Sequence, residues 1–171
     1  MSTTIPSAAP APNYTAPAPF LTPDEFLQNW QAHRRLTRRV LEAFPEDQLH
    51  SFSIGGMRPF AALAWELLLI AGPLVRGVVT GEWAEVDWQA PPPSRDELLR
   101  LWDEQTTEID TLFPRIPAER WRENIKAFGA YELRGVDHFL YAIDNEIHHR
   151  GQGYVYLRAL GIQPPEFYDR Q

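Results

Sequence analysis

The stretch Asp144-Asn145-Glu146-Ile147-His148-His149-Arg150-Gly151-Gln152, running on through Tyr154-Val155-Tyr156-Leu157-Arg158-Ala159-Leu160-Gly161, decides how this chain is read. It packs acid, amide, two imidazoles and a guanidinium into about two helical turns. Ile143, Ile147, Val155, Leu157 and Leu160 surround the polar run, so the segment is more than a solvated surface helix. Residues four apart share a helical face, which sets Asn145 under His149 and Asp144 under His148. Either pair could offer two donor atoms to one metal ion. The pattern predicts a helix from about Leu133 to Leu160, ended by Gly161 with Pro164-Pro165 beyond.

Three further helices are expected upstream. Thr22 serves as N-cap, Pro23 takes the first helical position, and Asp24 and Glu25 favour the positive end of the dipole. This first helix runs to about Phe44, with an inward stripe of Phe26, Trp30, His33, Thr37, Val40 and Phe44. Arg34, Arg35, Arg38 and Arg39 read as its exposed side. A connector containing Gly55-Gly56 leads to a second helix from about Pro59 to Val79, ended by Gly81. Trp83 to Pro93 is an acidic, aromatic, Pro-rich loop. Ser94 caps a third helix whose apolar face is Leu98, Leu101, Trp102, Ile109, Leu112 and Phe113. Between Pro114 and Gly129, Trp121, Ile125 and Phe128 belong to short strands or a packed loop. Four long helical patterns without strand alternation predict an all-α fold, a four-helix up-down bundle.

At 171 residues the chain suits a tail of residues 1–20, rich in Pro and Ala and expected to be disordered, followed by one domain over 21–171. A net charge of −7 argues against a nucleic-acid partner. The absence of cysteine excludes disulfides and thiolate metal ligands. Met1 to Pro19 lacks the pattern of a secretory signal, so the expected location is cytoplasmic. Phe60 to Val75 falls short of the roughly 20 residues of a membrane span and reads as a core helix.

Glu66 is the one charged residue between Phe60 and Val75. A carboxylate there should be protonated, paired with a cation or bound to a metal, unless it faces solvent or an arginine of the first helix. In the last helix, His138, Ala142, Asn145, His149, Gln152 and Tyr156 form one stripe, suited to lining a cavity. Val136, Leu140, Ile143, Ile147 and Tyr154 form a second, and two non-solvent faces make a homodimer the expected assembly. His149 is the strongest metal-ligand candidate, and Asn145 offers only a neutral amide oxygen. His148 lies about 100° away around the helix. Arg150 and Gln152 are expected to tie this helix to a neighbouring loop, and His33 and His138 to be core or boundary residues.

The run Ile147-His148-His149-Arg150-Gly151-Gln152, with Tyr154 to Arg158, Gly161 and Pro164-Pro165, resembles the end of the last helix in the DinB-like (damage-inducible) family. Ser53-Ile54-Gly55-Gly56-Met57-Arg58-Pro59-Phe60 resembles that family's approach to its second helix. The resemblance implies a four-helix bundle, often dimeric, with a divalent metal, commonly nickel or zinc, held by three histidines. One comes from the second helix and two, four residues apart, from the fourth. The corresponding positions here are Glu66, Asn145 and His149, so two of the three depart from the pattern. Related members include transferases and isomerases that use low-molecular-weight thiols such as bacillithiol or mycothiol.

Two functions are therefore expected. The first is a divalent-metal-dependent transferase or hydrolase acting on a small molecule, with a thiol as cosubstrate and a metal at Glu66, Asn145 and His149; without metal, Glu66 and His149 form an acid/base pair. The second is a non-enzymatic, stress-associated binding or scaffold bundle with a degenerate metal site.

Overall fold

A computed structural model describes residues 20–171; the expected tail falls, apart from Phe20, outside the described residues. Helix α1 covers Pro23–Ala43, and Thr22 and Glu25 close a reciprocal capping box at its start. A single turn, α2, covers Glu46–Leu49. Helix α3 covers Phe60–Thr80 and ends at Gly81, whose φ of +79° is the left-handed conformation that glycine adopts at low cost. Helix α4 covers Arg95–Leu112 behind the Ser94 cap, and α5 covers Gly135–Ala159. The expected helices thus stand within one or two residues of their predicted bounds.

The segment left between strands and loop resolves into two short 3-10 turns and a hairpin, β1 (Asn124–Ala127) paired antiparallel with β2 (Tyr131–Arg134). Phe128 and Gly129 both have positive φ, 52° and 69°, and the Ala130 N–H closes the turn on the Ala127 carbonyl. Positive φ at both central positions belongs to the primed turns whose twist suits a hairpin. Phe128, a bulky residue in that conformation, is strained.

The four long helices form a bundle in which α3 packs against α4 and α5, and α1 packs against the same two. The connector from Phe44 to Pro59 carries the chain across the bundle end, so α1 and α3 stand mainly on a diagonal. Helix α5 lies between them and meets both. Its two non-solvent faces are accounted for largely within the chain, while Leu140 and Ile147 of the second expected stripe remain exposed and Ile143 is buried.

Two apolar clusters hold the bundle. Around Trp30, Phe113 and Phe139 the rings lie 5.1 to 6.0 Å apart in edge-on and tilted contacts. At the other end Phe44 stacks on Phe60 at 4.7 Å among Trp102, Tyr156 and Leu157. Gly153 lets α5 approach α3 here, because a β-carbon at that position would lie 2.5 Å from the Phe60 ring. Helix α3 is long and apolar enough to cross a bilayer, but most of that stretch is buried in the bundle. Reading it as a core helix is sound.

Candidate functional site

Glu66 projects from α3 toward α5, and three donors converge on it. Its Oε1 accepts from His149 Nε2 at 3.2 Å and from Asn145 Nδ2 at 3.3 Å, while its Oε2 pairs with the Arg58 guanidinium at 2.6 Å. The hydrogen bond from His149, with the Arg58 charge behind it, holds the Glu66 carboxyl down to about 2. Glu66 is therefore an ionised acceptor and a poor general base near neutral pH. The other ring nitrogen of His149 is engaged with Gln152 at 2.8 Å. Both ring nitrogens of His149 are thus engaged within the cluster.

The structure thus brings together Glu66, Asn145 and His149, which the sequence singled out. It also adds Arg58, which sequence reasoning missed. The cation facing Glu66 comes from the connector, not from the first helix. Arg58 is positioned by α5: the Tyr156 hydroxyl donates to the Arg58 carbonyl at 3.0 Å, and Gln152 reaches the neighbouring Met57 sulfur at 3.5 Å. Pro59, extended, then turns the chain into α3. His148 is exposed, its ring beside that of His149, and makes no bond to Asp144 among the described residues.

Beside this cluster lies a cavity of about 750 Å³. One wall is α3, with Ala62, Trp65, Leu69 and Leu74; the loop Trp88–Pro92, the hairpin and His138 and Tyr141 of α5 supply the others. Arg58 and Glu66 both line it, whereas Asn145 and His149 sit behind Glu66. The Trp65 indole donates to the Ala90 carbonyl at 3.0 Å and fixes the loop. Phe128 meets Trp83 and Trp88 edge-on at 5.2 and 5.3 Å, so the strained hairpin turn clasps the loop. His138 is buried and donates to the Ile125 carbonyl at 2.8 Å, which ties α5 to the hairpin.

The opposite face of α5 holds a second polar group, sealed against α1. Glu146 is 2% exposed and Arg34 fully buried. Thr37 donates to Glu146 at 2.6 Å, and Arg150 donates to the His33 carbonyl and the Thr37 hydroxyl at 3.2 and 3.1 Å. Arg150 therefore ties α5 to α1 rather than to a loop. Arg34 does not lie on an exposed face as expected: it donates to Thr106 and to the Trp102 carbonyl, and its guanidinium lies 4.3 Å over the Trp102 ring. Burial raises the Glu146 carboxyl and lowers Arg34 to about 10. Burial, then the charges of Arg150 and Arg170, lowers His33 to about 4. Neutral imidazole has one lone pair, so His33 accepts from Arg150 or from Arg170, each 3.0 Å away, but not from both. Arg38 and Arg39, half-buried, pair with Asp103 and Asp169, while Arg35 is exposed as expected and donates to the Arg170 carbonyl.

The DinB family profile matches residues 13–171. This chain belongs to the DinB family. A DinB-like protein from Bacillus cereus superposes with a TM-score of 0.69 at 19% identity, covering 85% of this chain and 97% of that one. A DinB-like protein from Bacillus subtilis gives 0.67 at 18%, covering 86% and 99%. A mycothiol-dependent maleylpyruvate isomerase gives 0.54 at 16%, covering 78% of this chain and 61% of that one. At these identities the likeness is one of fold. No curated protein sequence matches significantly.

The DinB resemblance implies a nickel or zinc ion, so the donor chemistry matters. Such ions favour imidazole and anionic ligands, and three protein donors are the usual minimum. This DinB-family chain offers one imidazole, one carboxylate and one neutral amide, whose nitrogen faces the carboxylate. Among the described residues no group of three or more His, Cys, Asp or Glu side chains is arranged to hold an ion. The carboxylate is already neutralised by Arg58. The residues do not fit nickel or zinc.

Proposed function

We propose that this DinB-family protein binds a small, largely apolar molecule carrying one anionic group in the cavity between α3, α5 and the hairpin. The observation that supports this is the composition of the walls: aromatic and aliphatic side chains enclose about 750 Å³, and among the described residues Arg58 is the one guanidinium or ammonium that lines it. Pockets of this size suit drug-sized ligands, with a few fixed polar groups giving orientation. Glu66 holds one edge of the guanidinium and leaves its other N–H groups to an incoming anion.

Intrinsic fluorescence tests the reading, since Trp65 and Trp88 stand in the walls. Titration with 1-anilinonaphthalene-8-sulfonate, an apolar anion, is expected to quench tryptophan emission saturably with one site per chain. Ala62→Phe, which fills the cavity, is expected to abolish the effect, and Arg58→Met to weaken it by about tenfold. Quenching unchanged in both variants would mean that the probe binds elsewhere and the cavity is not the site.

A second reading is thiol-dependent transfer. It is supported by the Glu66–His149 cluster lying against the cavity and by a structural neighbour that is a mycothiol-dependent isomerase. A guanidinium at 2.6 Å from Glu66 is also placed to favour a thiolate over a thiol. Conjugation of a low-molecular-weight thiol to an electrophile, accelerated by wild type and not by Arg58→Met, separates transfer from binding alone.

A further inference from the structure

The Glu66 cluster departs from the metal-binding pattern in more than its two substituted ligands, because a positive charge already sits on one carboxylate oxygen, Oε2, beside the Oε1 that His149 and Asn145 share. We propose that the Arg58 guanidinium is the resident cation of this site, standing against Glu66 in place of a metal ion and keeping nickel and zinc out.

Three independent observations carry this. The Arg58 to Glu66 contact, 2.6 Å, is the shortest of the three on that carboxylate. Arg58 is held there from its own backbone: buried Tyr156 donates to its carbonyl, and Gln152, which also meets His149, reaches Met57. Helix α5 therefore seats the backbone from which Arg58 reaches Glu66, and Gln152 links that backbone to His149. The Asn145 amide presents nitrogen, not oxygen, to Glu66, the orientation that a hydrogen-bonded carboxylate requires and a metal-bound one does not. A divalent ion held by Glu66, Asn145 and His149 must turn the Asn145 amide, take the His149 nitrogen away from Glu66 and sit against the positive charge of Arg58 on the same carboxylate.

Metal uptake by the untagged full chain tests the assignment without any appeal to activity. After dialysis against micromolar zinc or nickel, mass spectrometry is expected to find wild type well below one ion per chain. Arg58→Met is expected to take up metal at least about tenfold more tightly, and the double variant Arg58→Met with His149→Ala to lose it again. Circular dichroism checks the fold of each variant, and Arg58→Gln serves if the methionine variant does not fold. Near-stoichiometric metal in wild type that disappears in His149→Ala overturns the proposal. So does a folded Arg58 variant that binds no more metal than wild type. Neither result depends on the organic ligand, so the small-acid reading stands or falls separately on its fluorescence titration.

Discussion

Helix α5 carries nearly the same chemistry on two faces. Toward α1 it sets Glu146 and Arg150 among Arg34, His33 and Thr37; toward α3 it sets Asn145 and His149 against Glu66 and Arg58. Each group contains a carboxylate, at least one guanidinium and an imidazole. The first is closed to water, whereas the Glu66 side chain is 25% exposed and that of Arg58 53%. The exposure of the carboxylate and its hydrogen bonds together separate their behaviour. In the closed group desolvation dominates and raises the carboxyl, and in the open group hydrogen bonding dominates and lowers it. A polar cluster on a bundle helix is thus a structural device or a site according to whether water and ligands reach it.

The sharpest way to break this contrast is to remove one member of each group. Arg34→Ala, or Arg150→Ala, takes away one of the two guanidinium charges that face buried Glu146 and is expected to cost about 3–5 kcal/mol in urea unfolding. Arg58→Met acts on a partly solvated pair and is expected to cost about 1 kcal/mol or less. Equal losses in both groups would show that the open cluster is no less structural than the closed one.

Acid gives a second comparison. The folded protein holds His33 at about 4 against 6.5 when free, so the unfolded chain binds more protons between those values and stability falls as pH drops from 6.5 to 4. Wild type is expected to lose on the order of 1–2 kcal/mol through that window, after allowance for solvent screening, and His33→Gln to lose less. A pH-independent difference between the two proteins counts against a neutral His33.

The smallest effect concerns the two carboxylates, whose linkage runs in opposite directions. Glu66, depressed from 4.5 to about 2, contributes stability above its unfolded value that is lost as pH falls from 4.5 toward 2. Glu146, raised, contributes stability present below 4.5 that is lost as pH rises through its folded value. Relative to wild type, Glu66→Gln should therefore become less harmful on acidification and Glu146→Gln more harmful. Measured by calorimetry across this range, slopes of the same sign would remove the distinction between the two faces.

The helices were legible because their ends are written locally: Thr22-Pro23, Ser94, Gly81 and Gly161 each state a cap in one or two residues. The hairpin was not, since its strands are four residues long and its turn places Phe128, a residue that rarely takes positive φ, beside Gly129. Glu66 and His149 could be paired in advance because a lone charge in an apolar helix needs a partner. Arg58 could not, because its reach to Glu66 depends on how Tyr156 and Gln152 seat the connector. The closed group was missed for a different reason. Arg34 was read with its basic neighbours, yet Trp30, Arg34, Thr37 and Leu41 share a stripe at spacings of four, three and four. Ala142, Glu146, Arg150, Gly153 and Leu157 do the same in α5. In both, the small or apolar companions of the charge were the signal.

The aromatic clasp of Phe128 against Trp83 and Trp88 has a consequence for how such a protein can diversify. Two walls of the cavity belong to the loop Trp88–Pro92 and to the hairpin, whose Ile125 and Ala127 also enter the apolar core, while the polar cluster belongs to α3, α5 and the connector before α3. Substitutions at positions 88–92 or at exposed Tyr131 can therefore reshape what the cavity admits with little effect on the packing that sustains the bundle. Selectivity and foldability are written in separate parts of the chain, and each is open to change at little expense to the other.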